Sequence, residues 1–379
     1  MITNWFNRYY EAEFSTMLQK GKVLVLYGPR RVGKTELINK LLGLQPGKIF
    51  RGTGDDMDLK EVFSAGKLRN ISTFLGGFNI IFIDEAQRIP EIGQGLKMLV
   101  DQHEDISIIV TGSSSLDLTN KVGEPLTGRH IQKILFPLSV LELREQFGSF
   151  DVHQKLDELL IYGGYPEVLN QPSREEKIEY LISLRDSYLL KDLFEIENIR
   201  FASKILQLLK LLAFQIGNEV SLTELGNTLE LSKQSIERYL YLLEKAFVIQ
   251  RVGGFSRNLR SEVVKTARYY FWDNGVRNAV INNFNQLNLR DDIGMLWENL
   301  MFIERMKKLS YKKIHSSIYF WRTYDKKEID LVEERDGNLF GFEFKWKNKK
   351  ITAPKLWSET YPYAKFEVIS QDNYQQFLI

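Results

Sequence analysis

The sequence predicts an α/β protein that begins with a doubly wound parallel sheet. Three largely apolar runs, Val23 to Tyr27, Ile80 to Ile83 and Ile106 to Val110, have the character of strands buried on both faces. Helical patterns alternate with these strands, and a glycine-rich loop follows the first of them. Because ligands of such sheets bind at the carboxyl ends of the strands, we expect functional residues directly after each strand.

Length and composition restrict the class of protein. A chain of 379 residues is long enough for two or three domains, and it lacks cysteine and has only four histidines. Disulfides, thiolate zinc sites and cysteine nucleophiles are therefore excluded. The net charge of +2 means that any anionic partner must be met by local basic patches. No run approaches the roughly 18 apolar residues of a membrane span, so we expect a cytoplasmic protein with no membrane partner.

The glycine-rich loop has the pattern G-x-x-x-x-G-K-T, which cradles phosphates. It consists of Gly28, Pro29, Arg30, Arg31, Val32, Gly33, Lys34 and Thr35. Glycines let backbone N–H groups turn toward phosphates, the Lys34 amine reaches the β/γ oxygens, and the Thr35 hydroxyl can bind Mg²⁺. A helix that begins here presents its positive dipole end to the phosphates. We therefore predict a nucleotide site at this loop.

Two acidic residues, Asp84 and Glu85, end the second of the buried runs. Asp84 can hold Mg²⁺ through water, and Glu85 can orient or deprotonate the water that attacks the γ-phosphate. A solvated acidic strand end is the alternative for such a pair in isolation. In combination with the upstream loop, the pair predicts nucleotide hydrolysis.

The third buried run ends in a hydroxyl-rich segment, Thr111 to Ser115. These hydroxyls can sense the γ-phosphate, or they can form an ordinary turn of small residues. Arg129 precedes the next strand-like run and is the candidate for stabilising transition-state charge, with Arg30 and Arg31 as competitors. Such an arginine can act within its own chain or from a neighbour in a homo-oligomer.

The middle of the chain has helical periodicity from Leu138 to about Gln215, which predicts a lid of helices over the nucleotide. Residues 216–285 follow a winged helix-turn-helix pattern, in which Ser221 to Glu224 form a capping box and Ser232 caps a second helix. The outward positions of that second helix are Lys233, Gln234, Glu237, Arg238 and Tyr241.

The wing of this module is basic. Its charged residues are Arg251, Arg257, Arg260, Lys265 and Arg268, against one acid, Glu262. A winged helix can place a helix in the major groove and basic groups on phosphates. Such modules also serve as rigid protein-interaction surfaces, so the sequence is compatible with either a nucleic-acid or a protein partner.

Residues 286–379 combine a helical segment that carries Glu298 with three strand-like runs. Period-two alternation places Glu343 and Lys345 on one face of the last run, and Asp330 can lie beside Glu343 on the neighbouring strand. Lysines surround this group, which suits a polyanion. They are Lys307, Lys308, Lys312, Lys313, Lys347, Lys349, Lys350 and Lys355.

Four motifs together resemble a family of prokaryotic ATPases of the AAA superfamily. They are the loop from Gly28 to Thr35, Phe82 to Gln87, Thr111 to Ser114, and Gly163 to Glu167. The resemblance spans essentially the whole chain and implies ATP as the nucleotide, in agreement with the lack of an Asn-Lys-x-Asp guanine-reading motif. It also implies an uncharacterised C-terminal domain similar to PD-(D/E)XK nucleases, that is, a restriction-endonuclease-like α/β domain.

Glu298, Asp330, Glu343 and Lys345 resemble the complete nuclease signature. In that chemistry the carboxylates bind a second Mg²⁺ or Mn²⁺, and the lysine helps to orient the activated water. The alternative is a cross-strand salt bridge in a domain that keeps the fold without cleavage.

The sequence thus predicts an ATPase domain with its helical lid over residues 1–215, a winged helix over 216–285 and a nuclease-like domain over 286–379. Hydrolysis of ATP would move the last two modules relative to the nucleotide domain, and these modules would act on nucleic acid. The alternative function is a slow ATP-gated switch whose C-terminal modules recognise a protein or DNA partner without cleavage.

Overall fold

The computed structural model describes residues 5–113, 125–186, 202–256, 267–323 and 325–379. They divide into two compact units. The N-terminal unit comprises Trp5–Phe136 and Lys245–Phe247, and the C-terminal unit comprises Pro137–Glu244 and Val248–Ile379. Within the described ranges, no helix is both long and apolar enough to cross a membrane.

The N-terminal unit is a parallel sheet with helices in the connections. Its strands are β1 (Val23–Tyr27), β2 (Ile49–Thr53), β3 (Ile80–Asp84), β4 (Ser107–Gly112) and β5 (His130–Ile134). Its helices are α1 (Phe14–Met17), α2 (Lys34–Leu42), α3 (Met57–Ser64), α4 (Leu68–Leu75) and α5 (Ile92–Gln102), with 3-10 turns at Tyr9–Glu11 and Ala86–Arg88. The three predicted apolar strands are confirmed as β1, β3 and β4.

The order of strands in this sheet is β2-β3-β4-β1-β5, and every neighbouring pair is parallel. β1, β3 and β4 are buried along nearly their whole length, as expected for the central strands of a sheet covered on both faces. Side chains from α3, α4 and α5 form one continuous core with these strands. Because β4 lies between β1 and β3, the carboxyl ends of all three strands meet at one edge.

The C-terminal unit begins with helices and ends with a mixed sheet. Its helices are α6 (Val140–Phe147), α7 (Ser149–Gln154), α8 (Leu156–Tyr162), α9 (Pro166–Asn170), α10 (Arg174–Leu184), α11 (Ala202–Ala213), α12 (Leu222–Leu229), α13 (Lys233–Lys245), α14 (Asn274–Ile281), α15 (Ile293–Tyr311), α16 (Lys355–Thr360) and α17 (Tyr374–Leu378). Its strands are β6 (Ile249–Gly254), β7 (Ala267–Phe271), β8 (Ser317–Arg322), β9 (Glu328–Arg335), β10 (Asn338–Phe344) and β11 (Lys365–Ile369).

The strands of the predicted wing belong to the same sheet as the strands that follow them. The order is β11-β10-β9-β8-β6-β7, with β6 pairing parallel to β8 through Gly253 and Gly254. The sheet is therefore continuous across the boundary predicted at residue 285. The helices from residue 138 to residue 184 likewise lie in the C-terminal unit, whereas the sequence predicted that they form part of the nucleotide domain. Their role as a lid stays a prediction.

The helix N-caps predicted at Ser221 and Ser232 are confirmed, and the winged helix itself stays a prediction. The Ser221 hydroxyl accepts a hydrogen bond from the Glu224 backbone N–H at 3.3 Å and caps α12. The Ser232 hydroxyl accepts from the Ser235 backbone N–H at 3.1 Å and precedes α13. Short polar side chains occupy both positions because the first N–H groups of a helix lack partners within it.

The turn at Gly163 and Gly164 is a packing feature of the C-terminal unit. The Asp273 carboxylate accepts hydrogen bonds from the Gly164 and Val276 backbone N–H groups, at 2.7 and 3.0 Å. A Cβ atom on Gly163 would lie 2.1 Å from that carboxylate, and Gly163 has a φ of 74°. Glycine is therefore required where the chain passes the buried aspartate.

Candidate functional site

The phosphate-binding loop leaves β1 at Gly28 and enters α2 at Lys34, as the sequence predicts. Gly28 has a φ of 144°, and a Cβ atom there would lie 2.1 Å from the carbonyl oxygen of Leu135. Gly33 has a φ of 89° and is the N-cap of α2. Both glycines adopt backbone conformations that other residues rarely reach, so the shape of the loop depends on them.

Lys34 lies inside the curve of this loop. Its side chain is buried, and its amine donates to the carbonyl oxygens of Gly28 and Pro29 at 3.0 and 2.8 Å. An ammonium held at this position can exchange carbonyl acceptors for phosphate oxygens without leaving the loop. Of the other loop residues, Arg30 is half-buried and Arg31 is exposed, and Arg31 has a φ of 63°.

The Asp84 carboxylate forms hydrogen bonds with residues that were predicted to lie around the metal. Its Oδ2 accepts from the Thr35 hydroxyl at 2.8 Å, and its Oδ1 accepts from the Thr111 hydroxyl and the Glu85 backbone N–H. The three strand ends therefore meet as expected from the parallel sheet. A hydroxyl beside a carboxylate is the oxygen donor set that Mg²⁺ takes in nucleotide sites, so the residues present fit Mg²⁺ and a triphosphate.

Glu85 is held next to this group by an amide. The Gln87 side-chain nitrogen donates to Glu85 Oε2 at 2.6 Å and to the Ser113 hydroxyl at 3.4 Å. Glu85 has a φ of 49°, which turns the chain sharply at the end of β3. Gln87 is part of a motif singled out in the sequence, but its contact with Glu85 was not predicted. Ser114 and Ser115, predicted with Thr111 as phosphate sensors, lie outside the described residues.

Arg129 lies at the amino ends of the parallel strands, whereas the phosphate-binding loop follows the carboxyl end of β1. Its carbonyl accepts from the backbone N–H of Val23, the first residue of β1, and His130 pairs with Val23. A five-residue strand is about 16 Å long, so Arg129 cannot reach the phosphates of its own chain. Its guanidinium instead forms an ion pair with Asp101. The action of Arg129 within its own chain is thus a wrong prediction, and action on a neighbouring chain stays a prediction.

Arg8 contacts the phosphate-binding loop, and this contact was not predicted from the sequence. Its guanidinium donates to the carbonyl oxygens of Val32 and Phe136, at 2.5 and 2.6 Å, and its side chain is buried. The two nitrogens of one planar group thus join the loop to the segment after β5. A hint was available in the sequence, because Asn7 and Arg8 interrupt an otherwise aromatic stretch near the start of the chain.

In the C-terminal unit, the four residues of the predicted nuclease signature lie in one neighbourhood. Lys345 donates to Glu343 Oε1 at 2.6 Å and lies 4.0 Å from Asp330 Oδ2. The same Asp330 oxygen accepts from the Phe344 backbone N–H at 2.8 Å. Glu298, on α15, accepts a hydrogen bond from the Tyr270 hydroxyl at 2.8 Å. We call Glu298, Glu328, Asp330 and Glu343 the carboxylate cluster.

A fifth residue, Arg268 of β7, enters this cluster. Its Nη1 lies 3.7 Å from Glu298 Oε1 and 3.6 Å from Asp330 Oδ1, and its Nη2 donates to Glu328 Oε2 at 2.7 Å. Only 1% of Arg268 is exposed to solvent. In the sequence, Arg268 is one of the basic residues of the wing that are predicted to meet phosphates. That interpretation is wrong, because the guanidinium is buried against carboxylates.

Burial and mutual repulsion change the acid strength of these groups. Burial raises the pKa of Glu298 to about 8, and the neighbouring Asp330 carboxylate adds to this rise. Burial also raises the pKa of Glu343 to about 7, with Asp330 again adding to the rise. The pKa of Asp330 is raised by burial, although Lys345 opposes that effect. The cluster therefore carries less negative charge at neutral pH than four free carboxylates.

The cluster does not fit the predicted second metal. Within the described ranges, no group of three or more His, Cys, Asp or Glu side chains is arranged to hold a metal ion. Mg²⁺ requires several oxygen ligands at about 2.1 Å, whereas here a guanidinium lies between Glu298 and Asp330. The prediction that Glu298, Asp330 and Glu343 converge on a metal is therefore not met by this arrangement.

The predicted polyanion-binding surface is only partly available. The outward positions of α13 are exposed, and so are the lysines at 347, 349, 350 and 355. Lys307, in contrast, is buried in an ion pair with Glu304 at 2.7 Å. Lys308 donates to the carbonyl of Phe377, and burial lowers its pKa to about 8. Arg257, Arg260, Glu262 and Lys265 of the wing lie outside the described residues.

Comparison with protein-family models divides the chain into three regions. Residues 20–144 match an AAA domain. Residues 153–287 and 293–370 match two domains of unknown function, DUF8612 and DUF4143. The AAA match covers most of the N-terminal unit, in agreement with the resemblance found in the sequence. These matches give no support to a nuclease or a winged helix in the remainder.

The relatives of the whole chain are uncharacterised. A protein of Mycobacterium tuberculosis is 28% identical over 338 residues, which cover 88% of this chain and 72% of the relative. A protein of Methanocaldococcus jannaschii is 24% identical over 399 residues, which cover 94% of this chain and 86% of the relative.

The solved structures that are similar to this chain include the following two. A RuvB mutant of Thermotoga maritima has 17% identity and a TM-score of 0.31, and the match covers 65% of this chain and 90% of that chain. A STAND signal-transduction ATPase from Pyrococcus horikoshii has 15% identity and a TM-score of 0.30, over 81% of this chain and 46% of that chain. We draw no conclusion about this protein from TM-scores this low.

Proposed function

We propose that the protein hydrolyses ATP with Mg²⁺ at the loop from Gly28 to Thr35. The observation that carries this proposal is the group around Asp84, in which Thr35, Thr111 and Glu85 all contact one carboxylate. Lys34 would bind the β/γ-phosphates, and Thr35 and Asp84 would hold the metal. The bound Mg²⁺ would neutralise charge on the transferred phosphoryl group. Glu85 would accept a proton from the attacking water once its contact with Gln87 opens.

Hydrolysis is tested by the variant Glu85→Gln. We expect steady-state phosphate release to fall by roughly 10²- to 10⁴-fold, the usual contribution of a general base. ATP affinity should change little, because Glu85 does not hold the phosphates. Lys34→Ala is the matched control, in which nucleotide binding itself is lost. Wild-type turnover in Glu85→Gln would remove Glu85 from the mechanism.

We further propose that the C-terminal unit binds nucleic acid and that ATP occupancy controls this binding. Support comes from the exposed basic positions Lys233, Arg238 and Arg251, and from the exposed lysines at 347, 349 and 350. Phosphate contacts of this kind give an affinity that falls steeply with salt. Because Lys233 lies 3.8 Å from Glu237, part of the positive charge on α13 is compensated.

The nucleic-acid proposal is tested by replacing Lys347, Lys349 and Lys350 with glutamine in the full chain. Each lost phosphate contact should reduce the slope of log K against log salt by about 0.9 on duplex DNA. The matched control replaces Lys20, Lys67 and Lys97, three exposed lysines of the N-terminal unit, with the same change in charge. Equal binding by the two variants would contradict a role for the C-terminal lysines.

A second candidate function is a slow ATP-gated switch rather than a motor. The arrangement of Arg268 favours it, because a cluster that holds no metal can bind a partner without cutting it. Single-turnover hydrolysis with and without DNA separates the two. A motor should change its rate of hydrolysis when DNA is added. A switch should keep that rate, while Glu85→Gln with ATP binds DNA with an affinity different from that of the nucleotide-free protein.

A further inference from the structure

The carboxylate cluster contains its own cations. Arg268 Nη1 lies within 3.7 Å of both Glu298 and Asp330, and Lys345 contacts Glu343 on the other side of Asp330. Asp330 thus lies between a guanidinium and an ammonium. A divalent metal at the same place would meet two positive groups in a region of low dielectric constant, where repulsion is strong.

The path of the Arg268 side chain explains how a residue of β7 reaches β9. β7 and β9 are separated in the sheet by β6 and β8. The Arg268 guanidinium lies over the ring of Phe320 on β8, 4.5 Å from the ring centroid, and then donates to Glu328 on β9. A planar guanidinium can stack on an aromatic ring and pair with carboxylates at the same time, which an ammonium cannot do as well.

Arg268 is buried among carboxylates. Its side chain is 1% exposed, and the three acidic partners belong to α15 and β9. Removing a buried cation leaves its carboxylates uncompensated, which is strongly unfavourable. The arginine therefore supplies the positive charge on which the packing of α15 and β9 depends at this point.

We infer that Arg268 replaces a divalent metal as the cation of the carboxylate cluster, and that loss of its charge opens a divalent-cation site there. The native C-terminal unit holds these carboxylates together without a metal. Once the guanidinium is gone, Glu298 has lost its cation, and the cations left near Asp330 and Glu328 are Lys345, at 4.0 Å, and Arg322, at 3.9 Å. The carboxylate oxygens that faced the guanidinium are then hard ligands that Mn²⁺ can bind. This inference is independent of ATP hydrolysis, since no residue of the phosphate-binding loop takes part.

The experiment measures Mn²⁺ binding to the nucleotide-free full chain, from the loss of the electron paramagnetic resonance signal of free Mn²⁺. Five proteins are compared: wild type, Asp330→Asn, Arg268→Gln, Arg268→Lys and the double variant Arg268→Gln with Asp330→Asn. Comparison within this set cancels any Mn²⁺ bound elsewhere in the chain. Circular dichroism and thermal unfolding establish which variants fold.

We expect wild type, Asp330→Asn and Arg268→Lys to bind equal numbers of Mn²⁺ ions. Arg268→Gln should bind one more ion per chain and unfold at a higher temperature with Mn²⁺ than without it, and the double variant should lose both effects. One extra Mn²⁺ in wild type over Asp330→Asn would overturn the inference, as would a folded Arg268→Gln that gains no ion. If Arg268→Gln does not fold, Arg268→Met takes its place in the comparison, and a folded Arg268→Met that gains no ion would overturn the inference.

Discussion

Arg8 should be one of the most sensitive positions of the N-terminal unit. Its guanidinium is buried and donates to the carbonyl oxygens of Val32 and Phe136. Arg8→Met keeps most of the side-chain volume but removes both donors. A hydrogen bond to a charged group contributes about 1.5 to 3 kcal/mol, so the loss of two should cost about 3 to 6 kcal/mol. We expect a loss within this range because the carbonyl oxygens of Val32 and Phe136 would be left without donors.

The free energy converts to a change in unfolding temperature. In a unit of this size, 1 kcal/mol corresponds to about 3 °C, so Arg8→Met should unfold about 10 °C or more below wild type. Differential scanning calorimetry of the full chain can follow this change, since the transition of the N-terminal unit is the one that ATP should shift upward. Nucleotide affinity should fall as well, because Val32 is part of the phosphate-binding loop.

Arg8→Lys provides the matched control for charge. A single ammonium cannot donate along the two directions that the guanidinium uses, so about half of the stability loss should remain. The reasoning would be refuted if Arg8→Met unfolded within about 1 °C of wild type, because two buried charge-assisted hydrogen bonds cannot be lost at so small a cost.

Three further predictions concern single contacts. Thr111→Val, which removes the buried hydroxyl that donates to Asp84, should lower stability by about 1 to 3 kcal/mol in urea unfolding, while Thr111→Ser should not. Gly28→Ala places a Cβ atom 2.1 Å from the carbonyl oxygen of Leu135, so ATP should no longer raise the unfolding temperature. Glu298 has a pKa raised by burial from 4.5 to about 8, so wild type should lose stability relative to Glu298→Gln as the pH rises from about 5 to about 8.

The outcomes that would contradict these predictions are equally specific. Equal stability of Thr111→Val and Thr111→Ser would show that the hydroxyl does not hold Asp84. An ATP-dependent shift in Gly28→Ala would show that the loop tolerates a side chain at that position. The sign for Glu298 follows from its raised pKa: its neutral form is favoured by folding, so its contribution is present below pH 4.5 and is lost at higher pH. A stability difference that does not change with pH would remove that explanation.

The position of Arg129 follows from a topological rule of parallel sheets. Arg129 comes just before a strand, and in a parallel sheet the start of a strand lies at the edge opposite the phosphate-binding loop. The rule that correctly placed Asp84 after its strand therefore already argued against a role for Arg129 within its own chain. Lys307 and Lys308 are a different case, because their burial depends on how α15 packs, which a lysine-rich pattern does not show.

The sequence by itself determined where the candidate nucleotide site lies. The loop from Gly28 to Thr35 is contiguous, its glycines and its flanking strand and helix are local signals, and Asp84 lies at the end of a strand recognisable by its apolar run. Signals of this kind can be recognised from the sequence alone, because the residues that act together are close in sequence or lie at the same edge of a regular sheet.

Only the tertiary structure decided the character of the carboxylate cluster. Arg268 lies 30 residues before Glu298 and 62 before Asp330 in the sequence, and it appeared to belong to a basic wing. Its contact with those carboxylates exists because β6 pairs with β8 and brings β7 into the same sheet. Long-range strand pairing cannot be recognised from local composition, so Glu298 and Asp330 can flank either a metal or, as here, a guanidinium.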